Sequence, residues 1–173
     1  MRYRSQLALG ILFGLALNLA TAFAEEADSP APGFDPGVPE LKVLDRFVGR
    51  WTAEFGGSGT NVASTRRWVM NGKFIRHDFE LSTGDVRGVI YRGYDQNTEE
   101  YTLTMIDSSG SVSLLSGHWD KNLRTLRFEA VDTSCHISLY ESYFPDEMTE
   151  EWRIVVNNEN RTDLRGIARK QLD

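Results

Sequence analysis

The stretch WVMNGKFIRHDFEL, residues 68–81, contains the pattern that decides the fold. Asn71-Gly72 is a strong hairpin signal, because both residues of such a turn must tolerate positive φ. After the turn, apolar and charged side chains alternate with a period of two, which is typical of a strand with one buried and one solvated face. The apolar face also carries His77, which we therefore expect inside the protein. The segment predicts two antiparallel strands joined by a tight turn.

Similar segments continue on both sides of this hairpin, separated by turn residues. The predicted strands are 50–55, 62–70, 74–81, 86–94, 101–106, 112–119, 123–130, 134–143, 150–156 and 162–170. Since the short connections leave no room for crossover helices, consecutive strands must be antiparallel neighbours. Closure of such a sheet removes its exposed edges. We expect an all-β fold, an antiparallel up-and-down barrel of about ten strands; a two-sheet sandwich is the alternative.

The first 24 residues have the three-part pattern of a secretory signal peptide. Arg2 and Arg4 precede an apolar run over residues 7–20, and the small residues before Glu25 end at Ala24. The run is shorter than the ~20 apolar residues that span a bilayer. We therefore expect residues 1–24 to be cleaved as a signal peptide, with no membrane insertion after cleavage. The protein is expected to be exported, either periplasmic or extracellular.

Residues 25–38 are rich in proline, glycine and acidic residues, and they are expected to form a flexible leader. The barrel domain is expected over residues 39–173. Pro39 suits the first turn of a short helix over 40–48, in which apolar residues recur at helical spacing. Gly49 follows this helix and is expected to end it.

Composition argues against two classes of partner. Loss of the signal peptide leaves 149 of the 173 residues and changes the formal net charge from −6 to −8, because Arg2 and Arg4 are removed. An acidic chain without a lysine and arginine cluster argues against nucleic acid and against an anionic membrane surface. Cys135 is the single cysteine, so an internal disulfide is excluded, and we expect a small buried side chain there.

A short helix that leads into Gly49-Arg50-Trp51 resembles the opening of lipocalins and of the wider calycin group. In those families the tryptophan plugs the closed end of the barrel, and an arginine from the last strand often stacks across it. The resemblance implies that Gly49, Trp51 and Arg169 form a barrel-end plug. Arg165 is the second choice for the stacking arginine.

A longer series of motifs is similar to the domain-of-unknown-function 1579 family of bacterial proteins. The motifs are FVGRW at 47–51, MNGKF at 70–74, RGYD at 92–95, TMIDS at 104–108 and GHWD at 117–120. They span roughly residues 41–154. The resemblance implies a lipocalin-like barrel and brings no reaction and no catalytic residues with it.

Alternation along the strands places several large side chains inside the barrel. The predicted lining comprises Trp68, His77, Phe79, Tyr91, Met105, Phe128, Tyr140 and Trp152. A lining of aromatics with scattered polar groups suits a small hydrophobic or amphipathic ligand. The same residues would equally fill a closed core, and both interpretations stay open.

Catalytic motifs for metalloproteases, zinc sites and esterases are absent from the sequence, so no catalytic residue, metal ligand or cofactor is assigned. One alternative is a small-molecule enzyme that uses His77 or His118 as acid or base. Haem held by a histidine is another, although no histidine follows His136. A third is an envelope protein that acts through its outer surface. The acidic segment 147–151 is expected to be a solvated turn.

Overall fold

The computed structural model describes residues 37–55, 60–84, 86–157 and 161–172; the predicted signal peptide and most of the predicted leader lie outside them. A 3-10 helix, Pro39–Phe47, precedes ten strands. The strands are β1 (Gly49–Phe55), β2 (Asn61–Val69), β3 (Phe74–Leu81), β4 (Arg87–Asp95), β5 (Glu100–Asp107), β6 (Val112–Asp120), β7 (Thr125–Ala130), β8 (Ile137–Tyr143), β9 (Thr149–Val156) and β10 (Thr162–Lys170). No helix within the described ranges is long and apolar enough to cross a bilayer.

The ten strands form one closed antiparallel barrel. Each strand pairs with its neighbours in the chain, and β1 pairs with β10 to close the sheet. Trp51 thus lies opposite Ser64 on one side and Lys170 on the other. The predicted up-and-down barrel is confirmed, and the sandwich alternative is wrong, because one continuous hydrogen-bonded ladder connects all the strands.

The Asn71-Gly72 turn sets the register between β2 and β3. Met70, Asn71 and Gly72 have φ values of 52°, 54° and 70°, and the Lys73 amide donates to the Met70 carbonyl at 3.2 Å. The ladder that follows places Arg66 opposite His77. A shift of either strand by one residue would turn the inward side chains of that strand to the outer face, so the turn residues help to determine which polar groups enter the barrel.

The 3-10 helix covers one end of the barrel, where a short helix was predicted over 40–48. Its buried side chains, Leu41, Leu44 and Phe47, join the larger apolar cluster of the interior. Three hydrogen bonds hold its backbone and side chains to the strands. These bonds run from Tyr101 Oη to the Glu40 carbonyl at 2.8 Å, from Trp51 Nε1 to the Phe47 carbonyl at 2.8 Å and from Trp68 Nε1 to Asp45 Oδ1 at 2.9 Å.

Candidate functional site

A layer of polar side chains crosses the barrel interior between two apolar clusters. Its buried members are Ser64, Arg66, His77, Arg92, Ser142 and Glu150. Strand alternation explains their direction: Ser64 and Arg66 share the inner face of β2 with Trp68, and Glu150 shares the inner face of β9 with Trp152. The smaller apolar cluster, which includes Trp51, Val62 and Trp152, lies on one side of this layer.

Glu150 is the acidic centre of the layer. Arg66 Nη1 donates to Glu150 Oε2 at 2.5 Å, and the Ser142 hydroxyl donates to Glu150 Oε1 at 2.6 Å. Burial by itself raises the pKa of this carboxyl, but the charges of Arg66 and Arg92 and the two hydrogen bonds outweigh it, so that the pKa lies below its ordinary value. Glu150 is therefore a buried carboxylate at neutral pH.

Arg92 is completely buried and is held mainly by aromatic faces. Its guanidinium carbon lies 4.5 Å from the ring centroid of Phe47 and 5.1 Å from that of Tyr140. Nη1 is 3.1 Å from His77 Nδ1. Within the described residues, Nε and Nη2 of Arg92 have no hydrogen-bond partner. Burial lowers the pKa of Arg92, yet a guanidinium stays protonated in proteins, so a cation persists here.

The contact with Arg92 determines the protonation state of His77. A guanidinium has no acceptor, so His77 Nδ1 must accept this hydrogen bond, and the ring proton of neutral imidazole must sit on Nε2. Burial and the charges of Arg66 and Arg92 hold the pKa of His77 well below its ordinary value. His77 is thus neutral at pH 7, with a buried Nε2–H that finds no acceptor among the described residues.

A cavity of about 80 Å³ lies against this polar layer. Its polar wall is formed by Ser64, Arg66 and His77, and its other walls are Ala53, Val62, Phe79, Leu81, Ile90, Met105, Tyr140, Trp152 and Ile154. Val62 and Leu81 form the terminal pair of the β2–β3 ladder, at the end of the barrel away from the β2–β3 turn. The cavity therefore lies toward the end opposite the 3-10 helix.

The structure brings five of the eight predicted lining residues together around the cavity: His77, Phe79, Met105, Tyr140 and Trp152. Trp68 and Phe128 are buried in the larger apolar cluster near the helix instead. The placement of Tyr91 inside the barrel was wrong. Ile90 and Arg92 occupy the inner face of β4, so Tyr91 points to the outer face, where its partners are Arg76 and Thr104.

Trp51 is buried at the end of the helix, but the cation over its ring is not the predicted Arg169. Arg66 lies 4.6 Å from the ring centroid and Lys170 Nζ lies 5.8 Å from it. Arg169 is exposed on the outer face of β10, and Arg165 shares that face. Ala168 and Lys170 take the inward positions of this strand, so the alternation excludes Arg169 from the stack.

Gly49 connects the helix to β1 in a conformation that favours glycine. Its φ is 132°, and a Cβ at this position would lie 2.6 Å from Lys170 Cε. The absence of a side chain therefore lets the aliphatic part of Lys170 pass beside the backbone and reach Trp51.

Sequence reasoning missed the buried charged residues Arg66, Arg92 and Glu150, and also the buried hydroxyl groups of Ser64 and Ser142. Glu150 was expected in a solvated turn, which is wrong, since its side chain is fully buried. Strand alternation was the available signal: a residue two positions from the inward-facing Trp152 lies on the same face of the strand. The same rule, applied from Trp68, places Arg66 in the interior. Charged residues are usually exposed, so sequence reasoning did not assign Arg66 there.

The structure gives less support to an active site at His118, to a metal site and to a haem site. His118 is on the outer face of β6, exposed, with Nε2 at 3.4 Å from Glu100 Oε1. No group of three or more potential metal ligands converges in the part of the chain that the structure describes. A cavity of about 80 Å³ is also far smaller than the ~300–1,000 Å³ of drug-sized ligand sites, and haem is a ligand of at least that size.

Comparison with known proteins identifies the family. A search of curated proteins gave no match. The family model described as "Protein of unknown function (DUF1579)" matches residues 38–138, more than half of the chain. This range includes the helix and the positions of Arg66, His77 and Arg92, and it ends before Glu150. The chain belongs to the DUF1579 family of proteins of unknown function, and it folds as a closed ten-stranded barrel.

Proposed function

We propose that the protein is an exported binding protein that holds a small amphipathic ligand inside its barrel. One observation carries the proposal: the cavity has apolar walls on most sides and the polar residues Ser64, Arg66 and His77 on one side. Ser64 Oγ, Arg66 Nε and His77 Nε2 all lack a hydrogen-bond partner among the described residues. These atoms have almost no accessible surface, so a ligand would have to displace neighbouring side chains to reach them, and it would then recover about 1–3 kcal/mol for each group.

The size of the cavity limits the ligand. The interior around the helix is filled by side chains, and about 80 Å³ remains beside the polar layer. A small molecule, or the polar end of a larger one that emerges from the barrel, fits this volume better than a long chain enclosed completely. Phe79, Met105 and Trp152 offer the apolar contact surface.

Export is the second part of the proposal, and the N-terminal sequence supports it. Arg2 and Arg4, the apolar run over 7–20 and the small residues that end at Ala24 follow the secretory pattern. A binding protein outside the cytoplasm would meet small metabolites directly. Cleavage predicts that the mature chain begins at Glu25.

A proton-transfer enzyme has weaker support. His77 is the buried histidine at the cavity, and its low pKa keeps it neutral with its proton on Nε2. Its ring partner at Nδ1 is the cation Arg92, which cannot relay a proton as a carboxylate would. The geometry therefore gives proton transfer by His77 less support than ligand binding.

The test is native mass spectrometry of the mature protein recovered from the exported fraction of expressing cells. The mass should match a chain that starts at Glu25 and should carry a small adduct. Ala53→Leu, which fills the cavity, should remove the adduct, whereas Thr52→Leu on the outer face of the same strand should retain it. A bare protein, together with no thermal shift across a library of small amphiphiles, would contradict ligand binding.

A further inference from the structure

A groove of about 680 Å³ lies on the outer face of the barrel, across β7, β8, β9, β10 and β1. Its apolar lining comprises Leu123, Tyr143 and Ile167, which are 65%, 39% and 42% exposed. Single apolar side chains are normal on a protein surface, but a cluster of them in a concave site marks an interaction surface. The groove is therefore a candidate docking site for another molecule.

The strand register places a carboxylate on each side of this apolar floor. Ile167 of β10 pairs with Glu54 of β1 and, on its other side, with Glu151 of β9. Tyr143 of β8 follows Glu151 in the same row, so acidic and apolar side chains alternate across the strands. Since neighbouring strands lie about 4.8 Å apart, the Cα atoms of Glu54 and Glu151 are roughly 10 Å apart.

The arginines of the groove are already paired. Arg153 donates to Glu141 at 3.3 Å and to Asp163 at 2.8 Å. Arg165 donates to the same Asp163 at 3.4 Å. This network contains two cations and two carboxylates, so it supplies no cation to a further acidic residue.

Glu54 and Glu151, in contrast, have no hydrogen bond or ion pair with any residue that the structure describes. Both side chains are exposed. The groove thus presents two unpaired negative charges, one on either side of Ile167. Protein interfaces place opposite charges against each other, so this arrangement fits an occupant with two cations on either side of an apolar group.

The charge of the chain selects among the possible occupants. After the predicted cleavage the formal net charge is −8, so a second copy would bring acidic surface toward an acidic rim. Residues 25–38 contain four acidic residues and no lysine or arginine, so the predicted leader has the same unfavourable sign. A basic segment of another protein has the complementary sign, and the net charge of this chain would also steer it toward the surface.

We propose that the groove is a docking site for a basic polypeptide segment of another protein, in which two lysine or arginine side chains flank an apolar one. The apolar side chain would pack on Ile167, and the two cations would pair with Glu54 and Glu151. Lysine and arginine suit these positions, because their aliphatic stems cover apolar surface while their charged ends stay in water. This inference goes beyond the proposed function and is independent of it, since the cavity lies inside the barrel.

The experiment is fluorescence anisotropy with labelled synthetic peptides and the mature protein, residues 25–173. The probe repeats the unit Lys-Ser-Leu-Ser, so that each leucine lies between lysines. One control peptide has glutamate in place of every lysine, and a second has serine in place of every leucine. We expect the lysine–leucine peptide to bind, the serine control to bind at least about threefold more weakly because it lacks apolar contact, and the glutamate control not to bind. Binding should weaken as the salt concentration rises, since salt screens exposed charges.

Two double variants that remove the same charge locate the site. Glu54→Gln/Glu151→Gln removes the unpaired carboxylates and should weaken binding of the lysine–leucine peptide by about fivefold, as expected for two exposed ion pairs. Glu80→Gln/Glu147→Gln changes exposed positions outside the groove and should leave the affinity within about twofold. Ile167→Ser, which alters the floor, should weaken binding by about threefold. All these positions are exposed, so the variants should remain folded, which thermal melts check.

Equal losses of affinity in the two double variants would show attraction by net charge alone and would overturn the inference. Binding of the glutamate peptide, or no binding of the lysine–leucine peptide, would overturn it as well. Size-exclusion chromatography tests the other occupant: a wild-type dimer that Ile167→Ser dissociates would assign the groove to a second copy of the chain instead. The adduct expected in native mass spectra of the proposed binding protein depends on none of these results.

Discussion

Arg66 Nη1 and Glu150 Oε2 lie 2.5 Å apart inside the barrel, on strands β2 and β9, and both side chains are almost completely buried. Removing two charges from water costs several kcal/mol for each ion, which their attraction repays only with good geometry and further hydrogen bonds. Ser142 supplies one such bond to Glu150, and the Trp51 ring covers Arg66. The pair keeps Arg66 beside the cavity, where its Nε has no protein partner.

Neutralising Glu150 should strongly destabilise the protein. Glu150→Gln leaves Arg66 and Arg92 as two buried cations without a carboxylate, and breaking one partner of a buried pair typically costs about 3–5 kcal/mol. We expect a loss of that size in the free energy of unfolding, measured by urea denaturation. Glu151→Gln, at the adjacent exposed position, is the matched control and should change stability by less than about 0.5 kcal/mol. Equal effects in the two variants would contradict the assigned role of the pair.

Stability should fall as the pH decreases below about 6.5, because of His77. Its pKa in the folded protein lies well below the ordinary value of 6.5, since burial and the two arginines disfavour the charged ring. Below pH 6.5 the unfolded chain takes up a proton that the folded chain does not, which costs up to about 1.4 kcal/mol per pH unit. The contribution is fully present above pH 6.5 and is lost on acidification.

The measurement is urea denaturation at a series of pH values for wild type, His77→Gln and His118→Gln. His77→Gln should flatten the dependence between about pH 6.5 and 5, whereas His118→Gln, at an exposed position, should retain it. Glu150 adds a separate loss below about pH 4.5, because its pKa is lowered in the folded protein. An unaltered slope in His77→Gln would show that His77 does not cause it.

Phe47 should be the most sensitive apolar residue of the helix. Its ring is fully buried, packs against Phe144 at a centroid distance of 4.9 Å and covers the guanidinium of Arg92 at 4.5 Å. Phe47→Ala should cost at least about 3–5 kcal/mol, the usual range for a buried phenylalanine. Val43→Ala, on the partly buried side of the helix, should cost clearly less in the same chemical denaturation experiment.

A side chain at Gly49 should be tolerated poorly for a conformational reason. Its φ of 132° lies in a region that L-residues rarely adopt, and the nearest obstacle to a Cβ is the mobile side chain of Lys170. Gly49→Ala is therefore expected to cost about 1–3 kcal/mol, most of which should persist when Lys170→Ala is added. Full recovery in the double variant, relative to Lys170→Ala alone, would show that the cost was steric.

The strand pattern and the turns of the sequence determined the barrel. Asn71-Gly72 predicted the β2–β3 hairpin correctly because its signal is local: two residues that tolerate positive φ between two alternating segments. Alternation also placed His77, Phe79 and Trp152 inside, since a period of two assigns faces without knowledge of the partner strands. Tyr91 was assigned wrongly because β4 carries apolar residues on both faces.

Only the tertiary structure decided the polar layer. Arg66 and Glu150 are separated by 84 positions in the chain, and no local pattern indicates that closing the barrel brings their side chains together. Sequence propensity favours solvent for such residues, since charged groups are seldom fully buried without a partner. Their burial becomes favourable only when the pairing of β1 with β10 closes the barrel and brings β2 and β9 within reach of each other. The buried ion pair beside the cavity is therefore a property of the folded barrel, where distant strands share one interior.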